Sequence, residues 1–287
     1  MSWLHSRWFD VFKYAVYLAL LGNVGLFFAE EWQAYVLLSA ERQFSWGELF
    51  VAFGASIDTL AWLILLLVFE LETYQIPDEH LTGRVTAWLT GMRAVCYFFI
   101  VYAFFGYSVT ALEVLEFTRV AAGDVCGQVS GQLLWLVTMD EYQPVVNCAA
   151  QVAGMTQVMF DATNSVITSD AAYAEVLGLA IVDVINSGTW ILVVVFLELD
   201  VRLLRAGGGN ARLENLSRRI KYVLYATLLG CATYWGIYGS FLDFWDAFLW
   251  IVAFVFIERN VVFWEEELEA NQAVAESRKK EVVDATH

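Results

Sequence analysis

Six largely apolar segments divide the chain, and each is close to the roughly 20 residues that a helix needs to cross a bilayer. They cover residues 14–29, 51–69, 94–112, 176–197, 222–240 and 244–257. The last two segments are short and need flanking residues to complete a span. No small-residue cleavage site follows the first segment, so we interpret it as a transmembrane helix and not as a signal peptide. The pattern predicts an all-α polytopic membrane protein with six transmembrane helices.

The polar positions inside these segments repeat three times. Alternate segments begin with a basic residue followed four positions later by Tyr, in the pairs Lys13/Tyr17, Arg93/Tyr97 and Lys221/Tyr225. The other segments carry Asp or Asn, then Trp, then Glu, in the sets Asp58/Trp62/Glu70, Asn186/Trp190/Glu198 and Asp246/Trp250/Glu258. Copies that share one orientation are related by an axis along the membrane normal. We therefore expect three pseudo-repeated hairpins in a pseudo-threefold bundle, with each Trp packed in its aromatic core.

The unequal loops between these segments divide the chain into four regions. Residues 1–112 hold the first hairpin and the third helix, 113–172 an acidic insertion, 173–264 helices four to six, and 265–287 a charged cytoplasmic tail. Apolar spacing in "GQLLWLV" and "AAQVAGMTQVMFDA" predicts a small helical fold for the insertion. The acidic insertion is interpreted either as a vestibule or partner-docking surface, or as a lid over the helix ends.

The distribution of Lys and Arg predicts the orientation, because these residues accumulate on the cytoplasmic side. They crowd the connection between the fourth and fifth helices, at Arg202, Arg205, Arg212, Arg218, Arg219 and Lys221. The outward loops hold only Arg42 and Arg119. We therefore expect both termini in the cytoplasm of a bacterium, a multi-pass location in the inner membrane, and the insertion in the periplasm.

Composition and charge restrict the class of protein and its partners. The chain is 59% hydrophobic and has a formal charge of −16, which opposes contact with nucleic-acid phosphates and attracts cations. A solvated acidic surface accounts equally well for that charge. Cys126 and Cys148 share the insertion, where an oxidising periplasm predicts a disulfide. Cys96 and Cys231 lie within predicted spans.

The repeated glutamates Glu70, Glu198 and Glu258 have two competing interpretations, beside plain solvation at the membrane interface. In the first, they form interhelical ion pairs with the basic residues that open the alternate helices, namely Lys13, Arg93 and Lys221. In the second, they form a cation-attracting layer near the cytoplasmic side. Asp58 and Glu70 differ by about 120° in helical phase, so the Asp/Asn layer at the outer end and the Glu layer do not form one continuous acidic stripe.

Two functions follow from these interpretations. The first is a cation channel or transporter, either as a monomer or as a homo-oligomer. Its cation site would consist of Glu70, Glu198 and Glu258, with Asp58, Asp246 and Asn186 at the outer end. The alternative is a non-catalytic scaffold or accessory subunit of a membrane complex. His5, His80 and His287 lie outside the spans, so no paired histidines are placed to hold haem, and no hydrolase motif is present. We expect no enzyme activity and no cofactor, and the identity of the cation, metal or proton stays open.

Overall fold

The computed structural model describes residues 2–39, 46–72, 83–128, 132–139, 141–205 and 211–256. The described chain is mostly helical, with one small β-sheet. In chain order its elements are α1 (Ser2–Leu38), α2 (Trp46–Ala52), α3 (Gly54–Glu70), α4 (Gly83–Leu115), β1 (Thr118–Ala121), α5 (Ala122–Gln128), β2 (Leu134–Leu136), β3 (Tyr142–Pro144), α6 (Cys148–Gln151), β4 (Gln157–Asp161), β5 (Val166–Thr168), α7 (Asp170–Arg205), α8 (Ala211–Tyr238) and α9 (241–256).

Three of these helices are long and apolar enough to cross a membrane, within Asp10–Leu38, Gly83–Leu115 and Asp170–Leu199. The pair α2 and α3 adds a fourth span if it is one helix broken by its 74° bend. Leu18 is 68% exposed and Phe98 is 64% exposed, as expected of side chains that face lipid and not water. The length and composition of these helices indicate a helical membrane protein. The six spans and the threefold repeat stay predictions.

The helices pack in sequence, α1 against α3, α3 against α4, α4 against α7 and α7 against α8. Their common core contains the repeated tryptophans, with the ring of Trp62 lying 6.1 Å from that of Trp190 and 6.4 Å from that of Trp250. Phe254 adds a further ring 4.4 Å from Trp190. Ring pairs at these separations contribute beyond the area they bury. The aromatic core expected for the repeated Trp residues is therefore present, and we call Trp62, Trp190 and Trp250 the Trp layer.

A carboxylate stabilises the bend between α2 and α3. The first N–H groups of a helix have no partner within it, and α3 begins in the middle of the bent pair. Glu31 of α1 supplies the acceptors, at 2.7 Å from the backbone nitrogen of Ala55 and 3.2 Å from that of Ser56. Its second oxygen also accepts from the Ser56 hydroxyl. A negative charge at this position complements the helix dipole as well.

The described residues within 118–168 form a compact unit between α4 and α7, which we call the cap. Its five strands have the order β1-β4-β5-β2-β3, with β2 parallel to β5 and the other neighbours antiparallel. The prediction of a helical insertion was therefore wrong. "GQLLWLV" supplies β2, and the later apolar run supplies α6 and β4. Val158, Met159 and Phe160 are buried consecutively, and a strand buried on both faces lacks the alternation that separates it from a helix.

The cap is cross-linked as predicted. Cys126 of α5 and Cys148 of α6 form a disulfide that closes a loop with a sequence separation of 22 residues. The two other cysteines, Cys96 and Cys231, are free and buried within the helices. A salt bridge between Arg119 of β1 and Asp170 at the start of α7 joins the surface of the cap to the helical part.

Candidate functional site

The repeated basic, Tyr and Glu positions of the first hairpin meet at one point. Lys13 forms an ion pair with Glu70, and the Tyr17 hydroxyl donates to the second Glu70 oxygen at 3.5 Å. Lys13 is only 2% exposed and Glu70 only 5%. A charge buried this deeply is stable only when an opposite charge compensates for its lost hydration. Glu70 therefore has the pairing required by the ion-pair interpretation.

The second repeated basic residue has a different partner. Arg93 forms an ion pair with Glu72, which follows Glu70 by two residues and points to another face of the chain. Arg93, Tyr97 and Glu198 all line a cavity of about 70 Å³, which we call the distal cavity. Glu70 does not line it. Glu70 and Glu198 therefore do not share this cavity.

The third copy of this motif is only partly described. Lys221 lies on α8, but Glu258 lies outside the described residues. The pairing of these two residues stays a prediction, as does a three-membered Glu layer. The tail at residues 265–287 also lies outside the described part of the chain.

A much larger cavity, of about 600 Å³, lies on the other side of the Trp layer. Asp58, Asn186 and Asp246, the equivalent outer positions of the repeat, all line it. We call it the cap-side cavity because cap residues also contribute to its wall, namely Met139, Tyr142 and Asn164. All three residues of the Trp layer line this cavity, and Trp62 and Trp250 line the distal cavity as well. The Trp layer therefore separates the two cavities.

The wall of the cap-side cavity is strongly acidic. Its carboxyl side chains are Glu30, Glu31, Glu48, Asp58, Glu113, Asp183, Asp243 and Asp246. None of the described residues that line it is Lys, Arg or His. Glu30 and Glu113 are exposed, so the cavity reaches the surface. This arrangement is the reverse of that at Glu70, where a buried lysine neutralises the acid.

Several of these acids are held by neighbouring side chains. Asn23 of α1 donates to Asp246 at 2.7 Å, which joins α1 to α9. The Trp235 indole of α8 donates to Asp183 of α7 at 3.2 Å. These hydrogen bonds hold the two carboxyls at the cavity wall and join α1 to α9 and α7 to α8.

One further acid of the cavity stabilises the start of a helix. Asp243 accepts from the backbone nitrogen of Ser240 at 3.1 Å, while the Ser240 hydroxyl accepts from the backbone nitrogen of Asp243 at 3.2 Å. This reciprocal pair is a capping box at the start of α9. Asp243, like Glu31, therefore stabilises a helix start in addition to lining the cavity.

Asp58 differs from the other acids of the cavity. Its Oδ2 accepts from the Tyr107 hydroxyl at 3.4 Å, a long hydrogen bond. Within the described residues its Oδ1 is buried and accepts no hydrogen bond. A buried polar atom with no partner is costly, and such atoms are concentrated where a ligand, ion or water completes the site. Asp58 is therefore the acid of this cavity best placed to bind a cation.

The sequence pattern identified Asp58, Asn186 and Asp246 but missed the other acids. Asp183 lies three residues before Asn186, a spacing that places both on one face of a helix, and this signal was available. Glu30 and Glu31 follow the predicted span 14–29, whereas α1 continues to Leu38 and brings both acids onto the cavity wall. Across the described chain, no three His, Cys, Asp or Glu side chains form a group that could hold a metal ion. The acids are thus distributed along the wall.

The chain matches no protein-family model, no curated protein and no solved structure. The functional argument therefore depends on the geometry of the two cavities. The distal cavity is small and contains both Arg93 and Glu198. The cap-side cavity is large, acidic and open to the surface, and it is the candidate functional site.

Proposed function

We propose that this protein is a cation transporter whose binding site is the cap-side cavity. The observation that carries the proposal is the wall of that cavity, which has eight carboxyl side chains and no basic side chain among the described residues. Acidic groups between membrane helices concentrate cations in a low-dielectric environment and are typical of ion and proton pathways. The proposal places binding at the Asp/Asn layer and not at the Glu layer.

Asp58 is the central residue of this proposal. Its Oδ1 lacks a hydrogen bond within the described residues, and Asp58 lies about one helical turn before Trp62 of the Trp layer. Asp183 and Asp246 line the same cavity and are positioned by Trp235 and Asn23. A cation that enters past the exposed Glu30 would be attracted toward these three carboxyls.

The Trp layer supports a carrier in preference to an open channel. Trp62, Trp190 and Trp250 are buried, and their rings fill the space between the cap-side cavity and the distal cavity. A cation can reach the distal cavity only when these rings separate. Movement of helices around a site near the middle of the membrane is the usual mechanism of secondary transporters.

The proposal includes six spans, with the cap in the periplasm and both termini in the cytoplasm of a bacterium. α8 and α9 would be the fifth and sixth spans, and their exposed apolar residues support this: Val223, Leu229 and Ile237 on α8, and Val255 on α9. The close approach of the three Trp rings supports three hairpins arranged around one axis.

The test is cation flux into proteoliposomes that contain the purified protein, measured under proton, sodium, potassium and organic-cation gradients. The decisive variant is Asp58→Asn, which removes the charge and keeps the shape of the side chain. Asp170→Asn is the matched control, because Asp170 is an exposed carboxylate outside the cavity lining. We expect the control to transport as the wild type does, and Asp58→Asn to lose transport while it remains folded.

A second candidate function is that of a non-catalytic accessory subunit, which would belong to a homo-oligomer or to a larger membrane complex. The buried Lys13–Glu70 pair favours it, because this pair fixes the register of α1 and α3 without any cation. Well-folded wild-type protein that carries none of the tested cations would rule out a stand-alone transporter. A defined complex recovered from the native membrane would then support the accessory role.

A further inference from the structure

The cap-side cavity is aromatic as well as acidic. Its wall has four tryptophans and four tyrosines, namely Trp62, Trp190, Trp235, Trp250, Tyr35, Tyr102, Tyr107 and Tyr142. The face of an aromatic ring attracts an ammonium group, and rings also pack against the methylene groups of an organic cation. A cavity wall of carboxylates and aromatic rings complements an alkylammonium ion better than it complements a hydrated inorganic ion.

The volume of the cavity also favours an organic cation as the ligand. A volume of about 600 Å³ lies within the range of roughly 300–1,000 Å³ of small-molecule sites. The acids are distributed along the wall of that volume, and the described residues include no group of three that could hold a metal ion. Both features suit an elongated ligand with separated charges.

The acids occupy two levels along the helices that line the cavity. Asn23, which donates to Asp246, lies seven residues before Glu30 on α1, or about 10 Å at 1.5 Å per residue. Tyr107, which donates to Asp58, lies six residues before Glu113 on α4, or about 9 Å by the same rise. The donors that hold the inner level, at Asp58 and Asp246, thus lie about 9 to 10 Å along their helices from the outer level at Glu30 and Glu113, a rise comparable with the length of an extended triamine.

We propose that the cation bound in the cap-side cavity is a linear aliphatic polyamine, with one ammonium group at Asp58 and another at the outer level. This inference rests on the proposed function, since it names the cation that the same site takes. The aromatic side chains contact the methylene chain between the two ammonium groups. A diamine of four carbons carries one charge fewer than a triamine, and a single quaternary ammonium carries only one charge.

The test is isothermal titration calorimetry on the full chain in detergent at constant ionic strength. The probes are spermidine, putrescine, tetramethylammonium, potassium and magnesium. We expect spermidine to bind at least roughly tenfold more tightly than putrescine, because each well-placed charged contact contributes that factor or more. Potassium and magnesium are expected to bind more weakly than either amine.

Variants then separate the two levels and the rings. Asp58→Asn should weaken binding of all three organic cations, whereas Glu30→Gln should weaken spermidine alone and reduce it to the affinity of putrescine. Glu30 is exposed, so its replacement leaves folding intact even if Asp58→Asn does not fold. Trp235→Leu should bind organic cations more weakly than Trp235→Phe, because both lose the indole N–H but only Leu loses the ring. Asp170→Asn should bind as the wild type does.

The outcomes also separate this inference from the function on which it rests. Equal affinity for spermidine and tetramethylammonium, or spermidine binding unchanged by Glu30→Gln, would overturn the polyamine proposal. Asp58-dependent flux of potassium or protons without amine binding would overturn it while the transporter proposal survives. Absence of both amine binding and cation flux in the folded wild type would overturn both.

Discussion

Carboxylates have different surroundings on the two sides of the Trp layer. On the distal side, Glu70 is paired with Lys13, and both side chains are almost completely buried. On the cap side, eight carboxyls share a cavity of about 600 Å³ that no described basic residue lines. The comparison shows two surroundings for an acid in this protein: a buried ion pair across a helix interface at Glu70, and the wall of a large cavity at Asp58.

The difference has a physical consequence for stability. A compensated pair of buried charges holds helices in register, and removing one member leaves the other without a partner. Acids on an open cavity wall can instead be compensated by a mobile cation. We therefore expect changes on the distal side to affect folding most, and changes on the cap side to affect ligand binding most.

The largest effect is expected from Glu70→Gln. This change leaves the Lys13 charge buried without its partner, which costs about 3–5 kcal/mol in the free energy of unfolding. The measurement is thermal or denaturant unfolding in detergent micelles. The double variant Lys13→Met/Glu70→Leu should recover most of the loss, since it removes both charges. Unfolding of Glu70→Gln at the wild-type midpoint would contradict the structural role of the pair.

A smaller and more local effect is expected from Cys126→Ala/Cys148→Ala. The disulfide closes a loop with a separation of 22 residues, and loop-closure entropy assigns about 3 kcal/mol to a cross-link of that length. The loss should be confined to the cap, so limited proteolysis should cleave it faster while the helical circular dichroism is unchanged. Because cap residues line the cap-side cavity, cation affinity should fall too. A cap as protease-resistant as the wild type would contradict this prediction.

The Arg93–Glu72 pair provides an intermediate case between the two regions. Its side chains are 25% and 23% exposed, so water screens the charges far more than at Lys13 and Glu70. We expect Glu72→Gln to cost about 1 kcal/mol in the unfolding free energy. The same unfolding assay measures it, and high salt should reduce the difference from wild type. If Glu72→Gln lowered the unfolding free energy as much as Glu70→Gln, the difference in burial would not explain the strengths of the two ion pairs.

The smallest effect on stability is expected from Asp58→Asn. No basic residue lines its cavity within the described chain, so removing its charge leaves no opposite charge unpaired. The unfolding free energy should change by less than about 1 kcal/mol, in either direction. Cation binding and flux should nevertheless be lost. A strong destabilisation with flux intact would reverse the roles that we assign to the two sides.

Much of the helical fold could be predicted from local pattern. The predicted segments 94–112 and 176–197 lie within α4 and α7, because long apolar runs have few alternatives to a membrane helix. The cap could not be predicted in the same way. Its strands are three to five residues long and some are buried on both faces, so their apolar spacing does not separate strand from helix. The turn "DATNS" between β4 and β5, where Asp161 accepts from the backbone nitrogen of Thr163, was the missed signal.

The sequence by itself determined the apolar helices, the repeated motifs, the spacing that places Asp58 and Glu70 on different faces, and the cysteines that could form a disulfide. These features depend on residues near one another in the chain, on helical period, or on chemical type. Only the tertiary structure decided that Lys13 faces Glu70, which lies 57 residues away, and that Arg93 faces Glu72. It also decided that eight acids from six helices share one cavity. Which charges meet depends on how helices are rotated and packed against each other, and no local pattern in the chain encodes that choice.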